Sequence, residues 1–94
     1  HQIKVILCSV LPAYDFDWKP GSFPAEKIVT LNTMMQQYAE ANEILYLDYH
    51  SALVDERKGL DANFTDDEVH PNKKGYEVMA PLVEKAINEM LSNQ

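Results

Sequence analysis

"IKVILCSVL", residues 3–11, is the stretch that decides the fold. It is almost continuously apolar and rich in branched side chains, whereas a strand with one face in water would alternate. The pattern therefore predicts a strand of a parallel sheet that is covered on both faces. Pro12 ends the run because proline cannot donate to a strand ladder. Cys8 lies inside it, so we expect this cysteine to be a small buried hydrophobic side chain.

Beyond a loop rich in proline and aromatic residues, the apolar period changes to that of a helix. From residue 25 to about residue 42, apolar side chains recur three and four positions apart. This spacing places Ile28, Leu31, Met35 and Tyr38 on one helical face, which we expect to be buried.

A second strand and a second long helix follow. "EILYLDYH", residues 43–50, is another short apolar run and is predicted to be a strand, and residues 51–56 could form a helical turn capped by Ser51. The last helix should begin after Asn72, with Gly75 in its first turn allowing a close approach of neighbouring atoms. Its apolar stripe consists of Tyr76, Met79, Ala80, Val83, Ile87, Met90 and Leu91.

The element order is therefore strand, helix, strand, helix, which predicts a βαβ unit in an α/β fold. Two parallel strands by themselves leave two unpaired edges and half-covered faces. We therefore expect the chain to be part of a larger α/β sheet, whose other strands come from residues outside it or from another chain.

Composition excludes several classes of function. The 94 residues allow one domain at most, and 46% hydrophobic with 24% charged residues is ordinary for a globular protein. Fifteen acidic against eight basic residues give a net charge of −7, which disfavours nucleic acid as a partner. No apolar run approaches the roughly 20 residues that span a bilayer.

A carboxylate and a histidine stand three positions apart in "DDEVHPNKKGY", residues 66–76. The segment follows the second predicted strand and therefore lies at the carboxyl end of the sheet. Binding and catalytic sites of α/β proteins are usually found at this end. On a tight turn, Asp67 could accept the Nδ1–H of His70 and leave Nε2 free to take a proton from a nucleophile. Pro71 would stiffen the backbone there, and Asn72 is a good helix N-cap. The competing interpretation is an acidic surface loop that contains a histidine by chance.

The same acidic run could instead hold a metal ion. Hard cations need several oxygen ligands that converge from different parts of a structure, and one contiguous run rarely supplies them. We therefore expect no metal at Asp66, Asp67, Glu68 and His70.

Two further groups are candidates for binding. Tyr14, Phe16 and Trp18 follow the first predicted strand and could line an acyl or sugar site, although they could equally just cover the end of the sheet. Asp48 and His50 stand at the end of the second strand, where a structural, hydrogen-bonded aspartate is favoured over an acid–base pair.

Four stretches of the chain resemble a known family. "DEVHPNKKGY", residues 67–76, is similar to the last block of the SGNH (GDSL-type) esterases and acylhydrolases, D-x-x-H-P-x-x-x-G-Y. "VILCSVLPAY", residues 5–14, resembles the strand after the family's Asn-bearing block. "ILYLDYHSAL", residues 44–53, resembles its final strand, and "DANFTDDEVHPN", residues 61–72, the approach to the catalytic pair. Order and spacing fit over essentially the whole chain.

The resemblance implies a three-layer α/β/α sandwich with a flavodoxin-like parallel sheet. Residues 1–94 would be the C-terminal part of that single domain and would supply a strand-helix-strand-helix half. His70 would be the catalytic base and Asp67 the residue that orients it.

Departures from the family pattern limit what this chain could do alone. The nucleophile block, Gly-Asp-Ser, and the Gly-x-Asn-Asp block do not occur in the sequence, and both precede this segment in the family's order. The resemblance therefore implies that residues 1–94 by themselves are inactive. Glu68 stands where many relatives have glycine, which could change the geometry of the loop. The serines, none of which stands in a nucleophile block, are Ser9, Ser22, Ser51 and Ser92.

We therefore expect an ester hydrolase whose Ser-His-Asp triad takes its histidine and aspartate from this chain. By family analogy the substrate is a small acyl ester of a carbohydrate or lipid, with carbohydrate O-deacetylation as one such reaction, and no cofactor is implied. The same analogy points to a secreted or periplasmic location, which the residues themselves do not indicate. The alternative is a non-catalytic α/β half-domain or interaction module without the nucleophile.

Overall fold

The computed structural model describes residues 3–16 and 18–92 and has the α/β order that the sequence predicts. The strands pair in parallel, with Ile6 opposite Leu45 and Cys8 opposite Leu47. The elements in chain order are β1 (Ile6–Cys8), α1 (Ala25–Ala41), β2 (Leu45–Leu47), α2 (His50–Leu53), a 3₁₀ turn (Ala62–Phe64) and α3 (Lys73–Ser92). The predicted α/β class with parallel strands is confirmed.

Both strands are shorter than predicted, with three residues each instead of nine and eight. The ladder ends where Ser9 N–H donates to the Leu47 carbonyl at 2.9 Å. The next residue, Val10, turns its backbone polar groups away from β2 and bonds a side chain of α1 instead. An apolar run therefore marks where a strand lies, but its length depends on where partner groups are available.

Asn32 on α1 is that partner, and it fixes the helix against β1. Its Oδ1 accepts the Val10 N–H at 2.8 Å, and its Nδ2 donates to the Val10 carbonyl at 2.9 Å. The amide thus replaces a strand neighbour for one residue. Asn32 is itself buried, so these two bonds satisfy polar groups that have little access to water.

The buried face of α1 differs from the predicted one. Ile28 is buried as expected, but Leu31 and Tyr38 are exposed, and the buried positions are instead those in register with Asn32. The hydrophobic pattern missed this face because its central residue is polar and two of its members are small alanines. The buried residues of α1 are Ala25, Ile28, Asn32 and Ala39.

No residue of the apolar stripe predicted on α3 is buried among the described residues. Gly75 and Ala86 are buried, while Tyr76, Ile87 and Leu91 are exposed, contrary to the predicted buried stripe. The described residues therefore provide too little surface to cover these apolar side chains.

Cys8 was also expected to be buried and is exposed. The following residue, Ser9, is the buried one, and its Oγ accepts the backbone N–H groups of Tyr49 and His50 at 3.0 and 3.1 Å. Successive side chains of a strand point to opposite faces, so Cys8 and Ser9 differ in burial because they lie on different faces of the sheet.

The described residues form an elongated body with several uncovered surfaces. The radius of gyration is 14.5 Å and the extents are 45 × 27 × 23 Å, whereas a compact 94-residue domain would have a radius near 12 Å. Leu53 and Pro12 are the largest fully buried side chains. Within residues 3–16 and 18–92, no helix is long and apolar enough to cross a membrane.

Replacing Asn32 with alanine should destabilise the fold by about 2 kcal/mol, because the N–H and carbonyl of Val10 lose both partners. Urea unfolding of the two proteins measures this difference. Gln37→Ala, an amide-to-alanine change on the exposed side of the same helix, should stay within about 0.5 kcal/mol of the unsubstituted protein. Equal effects at the two positions would contradict the proposed role of Asn32.

Candidate active site

The parallel pairing places the segments that follow β1 and β2 at the same edge of the sheet. The second of these segments is closed by two short antiparallel pairings, between Val54 and Leu60 and between Thr65 and Pro71. Asp67 and His70 lie inside the loop that the latter pairing closes. His70 therefore lies on a short turn whose two ends are paired, and not on an unpaired loop.

Asp67 folds back onto His70 as the spacing predicts. Its Oδ2 lies 2.7 Å from His70 Nδ1, and its Oδ1 accepts the backbone N–H groups of His70 at 2.7 Å and of Val69 at 2.9 Å. One carboxylate thus holds both the imidazole and the backbone that carries it. The structure brings the two predicted residues together, while their catalytic roles stay a prediction.

The imidazole of His70 remains accessible in this arrangement. Its side chain is 73% exposed, and within the described ranges no hydrogen bond to its Nε2 is formed. With Nδ1 engaged by the carboxylate, the proton-bearing nitrogen is Nδ1 and the unprotonated one is Nε2. Such a histidine can accept a proton from a group placed beside it.

Hydrogen bonds keep Asp67 ionised. The backbone N–H of His70 is the largest cause, followed by the His70 side chain, and together with the Val69 N–H they hold the pKa of this carboxyl well below its usual range. Each of these bonds favours the charged form because a carboxylate only accepts. A fixed negative charge therefore lies beside the imidazole and would stabilise it when protonated.

Thr65 is a residue of this site that the sequence reasoning missed. It is buried, and its hydroxyl donates to the His70 carbonyl at 2.7 Å and accepts the Asp67 N–H at 3.3 Å. The Thr65 hydroxyl therefore connects the start of the turn, at Asp67, with its end, at His70. A threonine two residues before a turn aspartate is a known local bonding pattern, and that spacing was the available signal.

The start of α3 anchors the turn from the other side. Asn72 Oδ1 accepts the Gly75 N–H at 3.0 Å, which confirms the predicted N-cap, and Asn72 N–H donates to the Phe64 carbonyl at 2.8 Å. The close approach expected at Gly75 is also present. A Cβ at this position would lie 2.7 Å from the Phe64 carbonyl oxygen and 2.9 Å from the Pro71 Cβ.

The aromatic loop after β1 contributes to a cleft of about 330 Å³ next to this turn. Phe16 stacks on Trp18 at 4.6 Å between ring centroids, and Tyr14 meets Phe23 edge to face at 5.8 Å. Tyr14 and Phe16 line the cleft, whereas Trp18 is 68% exposed and lies outside its lining. The residues that line the cleft are Tyr14, Asp15, Phe16, Pro20, Arg57 and Glu68.

Arg57 and Glu68 form the polar side of the cleft, and sequence reasoning identified neither as a binding residue. The guanidinium carbon of Arg57 lies 4.2 Å from the centroid of the Tyr14 ring, a cation–π contact, and its Nη2 lies 3.7 Å from Glu68 Oε1. Only the tertiary structure brings these positions together. Residue 68 has a φ of +68°, in the left-handed region that glycine favours, so Glu68 adopts a backbone conformation typical of glycine.

The Asp48 carboxylate has a structural role. It accepts the backbone N–H of Ser51 at 3.0 Å and the Ser51 hydroxyl, so that Asp48, and not Ser51 as predicted, supports the first turn of α2. His50 Nε2 is buried and has no partner among the described residues, and burial lowers the pKa of this histidine. These contacts match the structural alternative for Asp48.

Another cavity lies away from this edge. It measures about 480 Å³ and is lined by residues at the amino ends of both strands, among them Ile3 and Leu45. Since the strands are parallel, this is the end opposite to Asp67 and His70. Within the described part of the chain, no three His, Cys, Asp or Glu side chains are gathered as metal ligands.

The chain is similar to several esterases and acylhydrolases. Residues 1–78 match the GDSL-like lipase/acylhydrolase family. An acetylxylan esterase from Xylanibacter ruminicola is 27% identical over 86 residues, which are 89% of this chain and 16% of that protein.

Two solved structures from Bacteroides species have the same fold. A Bacteroides fragilis protein assigned as an acylhydrolase superimposes with a TM-score of 0.91 at 44% identity, over 95% of this chain and 44% of that one. A GDSL-like lipase from Bacteroides thetaiotaomicron gives 0.88 at 43% identity, over 93% and 43%. The chain thus spans less than half the length of each relative named here.

The bonds around Asp67 should persist at low pH. A carboxyl whose folded-state pKa is depressed contributes stability above its unfolded pKa of about 4 and loses it as the pH falls through the folded value. In an NMR titration, the His70 amide resonance should therefore hold its position as the pH falls through about 4 and shift only at lower pH. In the Asp67→Asn variant, the amide resonance should show no such pH-dependent shift. A midpoint of this shift near pH 4 in the unsubstituted protein would contradict the lowered pKa of Asp67.

Gly75→Ala should lower stability although alanine is the better helix former. Overpacking against the Phe64 carbonyl costs about 1–3 kcal/mol, and the gain in helix propensity is about 1 kcal/mol at most. Chemical denaturation of the variant should therefore show a net loss. Lys74→Ala, at the exposed neighbouring position, should change little, and a stabilised Gly75→Ala would show that the helix start is not tightly packed.

Proposed function

This chain belongs to the GDSL-like lipase/acylhydrolase family, and from that premise we propose that it carries the base and the orienting carboxylate of a serine ester hydrolase. The observation that carries the proposal is the 2.7 Å contact between His70 Nδ1 and Asp67 Oδ2. In this role His70 is the general base and Asp67 holds its tautomer. The serine nucleophile and the oxyanion hole come from residues outside this chain.

The reaction proceeds by acyl transfer. A serine hydroxyl attacks the ester carbonyl while His70 Nε2 takes its proton, and the imidazolium then protonates the departing alcohol. Water attacks the acyl-enzyme in the same way, with His70 again taking and returning the proton. The ionised Asp67 favours the imidazolium in both halves of the reaction.

In the proposed enzyme, residues 1–94 form the C-terminal part of one domain. Support comes from the uncovered surfaces of the chain, notably the exposed edge of the two-stranded sheet and the apolar flank of α3 at Tyr76, Ile87 and Leu91. Further support comes from the solved relatives, which are more than twice as long as the part that this chain matches. The remaining strands and the nucleophile would cover these surfaces.

The proposed substrate is a small acyl ester, and an acetylated carbohydrate is the favoured class. The acetylxylan esterase, at 27% identity, is the support for a carbohydrate ester. Tyr14 and Phe16 lie on the cleft beside the turn that carries His70 and would contact the substrate, with the stacked Trp18 extending the aromatic surface. The proposed steps use side chains only and require no cofactor.

Substitution of the pair in the full-length protein tests these roles. With 4-nitrophenyl acetate as substrate, we expect His70→Ala to lower kcat/KM by about a thousandfold or more, because the base is lost. Asp67→Ala should lower it by about a hundredfold or more, because the tautomer and orientation of His70 are no longer held.

His50→Gln is the matched control, since it removes a second histidine of the same segment without touching Asp67 or His70. It should hydrolyse the ester at nearly the unsubstituted rate. Full turnover in His70→Ala would sink the assignment, and an unsubstituted full-length protein without any esterase activity would favour the non-catalytic module.

A further inference from the structure

We propose that Arg57 and Glu68 form a paired sugar-binding site in the cleft beside His70, and that this pair selects esters of polyhydroxylated alcohols over simple alkyl or aryl esters. The inference rests on the proposed esterase function, because it assigns the part of the substrate that this cleft recognises. It concerns the leaving alcohol and not the acyl group.

The position of the pair supports this role. Glu68 stands between Asp67 and His70 in the sequence and lines the cleft together with Arg57. A ligand bound to Glu68 would therefore contact the turn that carries the proposed base. Phe16 and Tyr14, whose ring carries the Arg57 guanidinium at 4.2 Å, also line the cleft, and an aromatic lining suits the C–H face of a sugar ring.

Arg57 and Glu68 also have complementary chemistry. A guanidinium only donates hydrogen bonds and a carboxylate only accepts them, and here their nearest atoms are 3.7 Å apart. Adjacent hydroxyls of a sugar can each donate and accept, so one can bond Arg57 while its neighbour bonds Glu68. An alkyl or aryl alcohol lacks these hydroxyls and would leave both groups to water.

The charge of the cleft favours a neutral ligand. Arg57 is its one cation, and it is balanced by Glu68 and by Asp15 among the lining residues. Asp15 is already engaged, because its carboxylate accepts the N–H groups of Gly21 and Phe23 at 3.0 and 3.1 Å. An anionic ligand would meet two carboxylates as well as a chain with a net charge of −7.

Stability does not account for glutamate at position 68. Its φ of +68° lies in the left-handed region, which is unfavourable for a residue with a Cβ. Arg57 and Glu68 are 53% and 67% exposed, and an exposed pair at 3.7 Å contributes little to stability. Contact with a ligand gives the Glu68 side chain a role, whereas the stability of the fold does not.

The test compares two substrates in the full-length protein. One is a methyl xyloside that carries a single acetyl group and free hydroxyls, and the other is 4-nitrophenyl acetate. In both Arg57→Gln and Glu68→Gly, the ratio of kcat/KM for the sugar ester to that for the nitrophenyl ester should fall by about tenfold, mainly through KM. Glu68→Gly should also melt at the same or a higher temperature, because it relieves the left-handed strain.

Lys58 and Glu26 provide matched controls. They form a second exposed ion pair, 2.6 Å between charged atoms, and neither lines the cleft, although Lys58 directly follows Arg57 in the sequence. Lys58→Gln and Glu26→Gln should leave the substrate ratio unchanged, so a loss of charge by itself is separated from a loss of the binding pair.

The outcomes separate the two proposals. An unchanged ratio in Arg57→Gln and Glu68→Gly, with His70-dependent hydrolysis of both esters, would overturn the sugar-binding pair and leave the esterase proposal standing. Equal losses against both esters would also overturn it, since the pair would then act on the catalytic turn. An unsubstituted protein inactive on both esters would overturn both proposals.

Discussion

Parallel pairing between β1 and β2 is the constraint on which the rest of the structure depends. Parallel strands cannot be joined by a tight turn, so α1 has to carry the chain back along the sheet. The same pairing brings the segments that follow the two strands to one edge. The Asp67–His70 contact lies in the second segment, and the cleft lies between the two. The location of the candidate site is therefore a consequence of strand direction.

The geometry of that site follows from one carboxylate. Asp67 accepts two backbone N–H groups with one oxygen and the imidazole of His70 with the other, so the chain has to turn tightly between these two residues. The tight turn places residue 68 in the left-handed region. Where a glycine would leave this corner bare, Glu68 directs a side chain toward Arg57 and the cleft. The bonds that hold the proposed base and the proposed sugar contact are thus parts of one turn.

Polar residues decide how the helices pack. The apolar spacing on α1 predicts a face with Leu31 and Tyr38, yet Asn32 rotates the helix because its amide bonds the backbone of Val10 where the ladder ends. With these two bonds formed, both Leu31 and Tyr38 remain exposed. On α3 the predicted stripe is not the buried face: Gly75 and Ala86 are buried, whereas Tyr76, Ile87 and Leu91 are exposed.

The order of elements, the N-cap at Asn72 and the Asp67–His70 pair could be predicted from the residues alone, because these depend on spacings of at most a few residues and on the chemistry of individual side chains. The resemblance of the same motif to a family then agreed with the match of residues 1–78. Strand length, the buried faces of the helices and the Arg57–Glu68 pair were decided only by the tertiary structure. Each of them depends on which distant group lies opposite, and the local pattern of a chain contains no information about that partner.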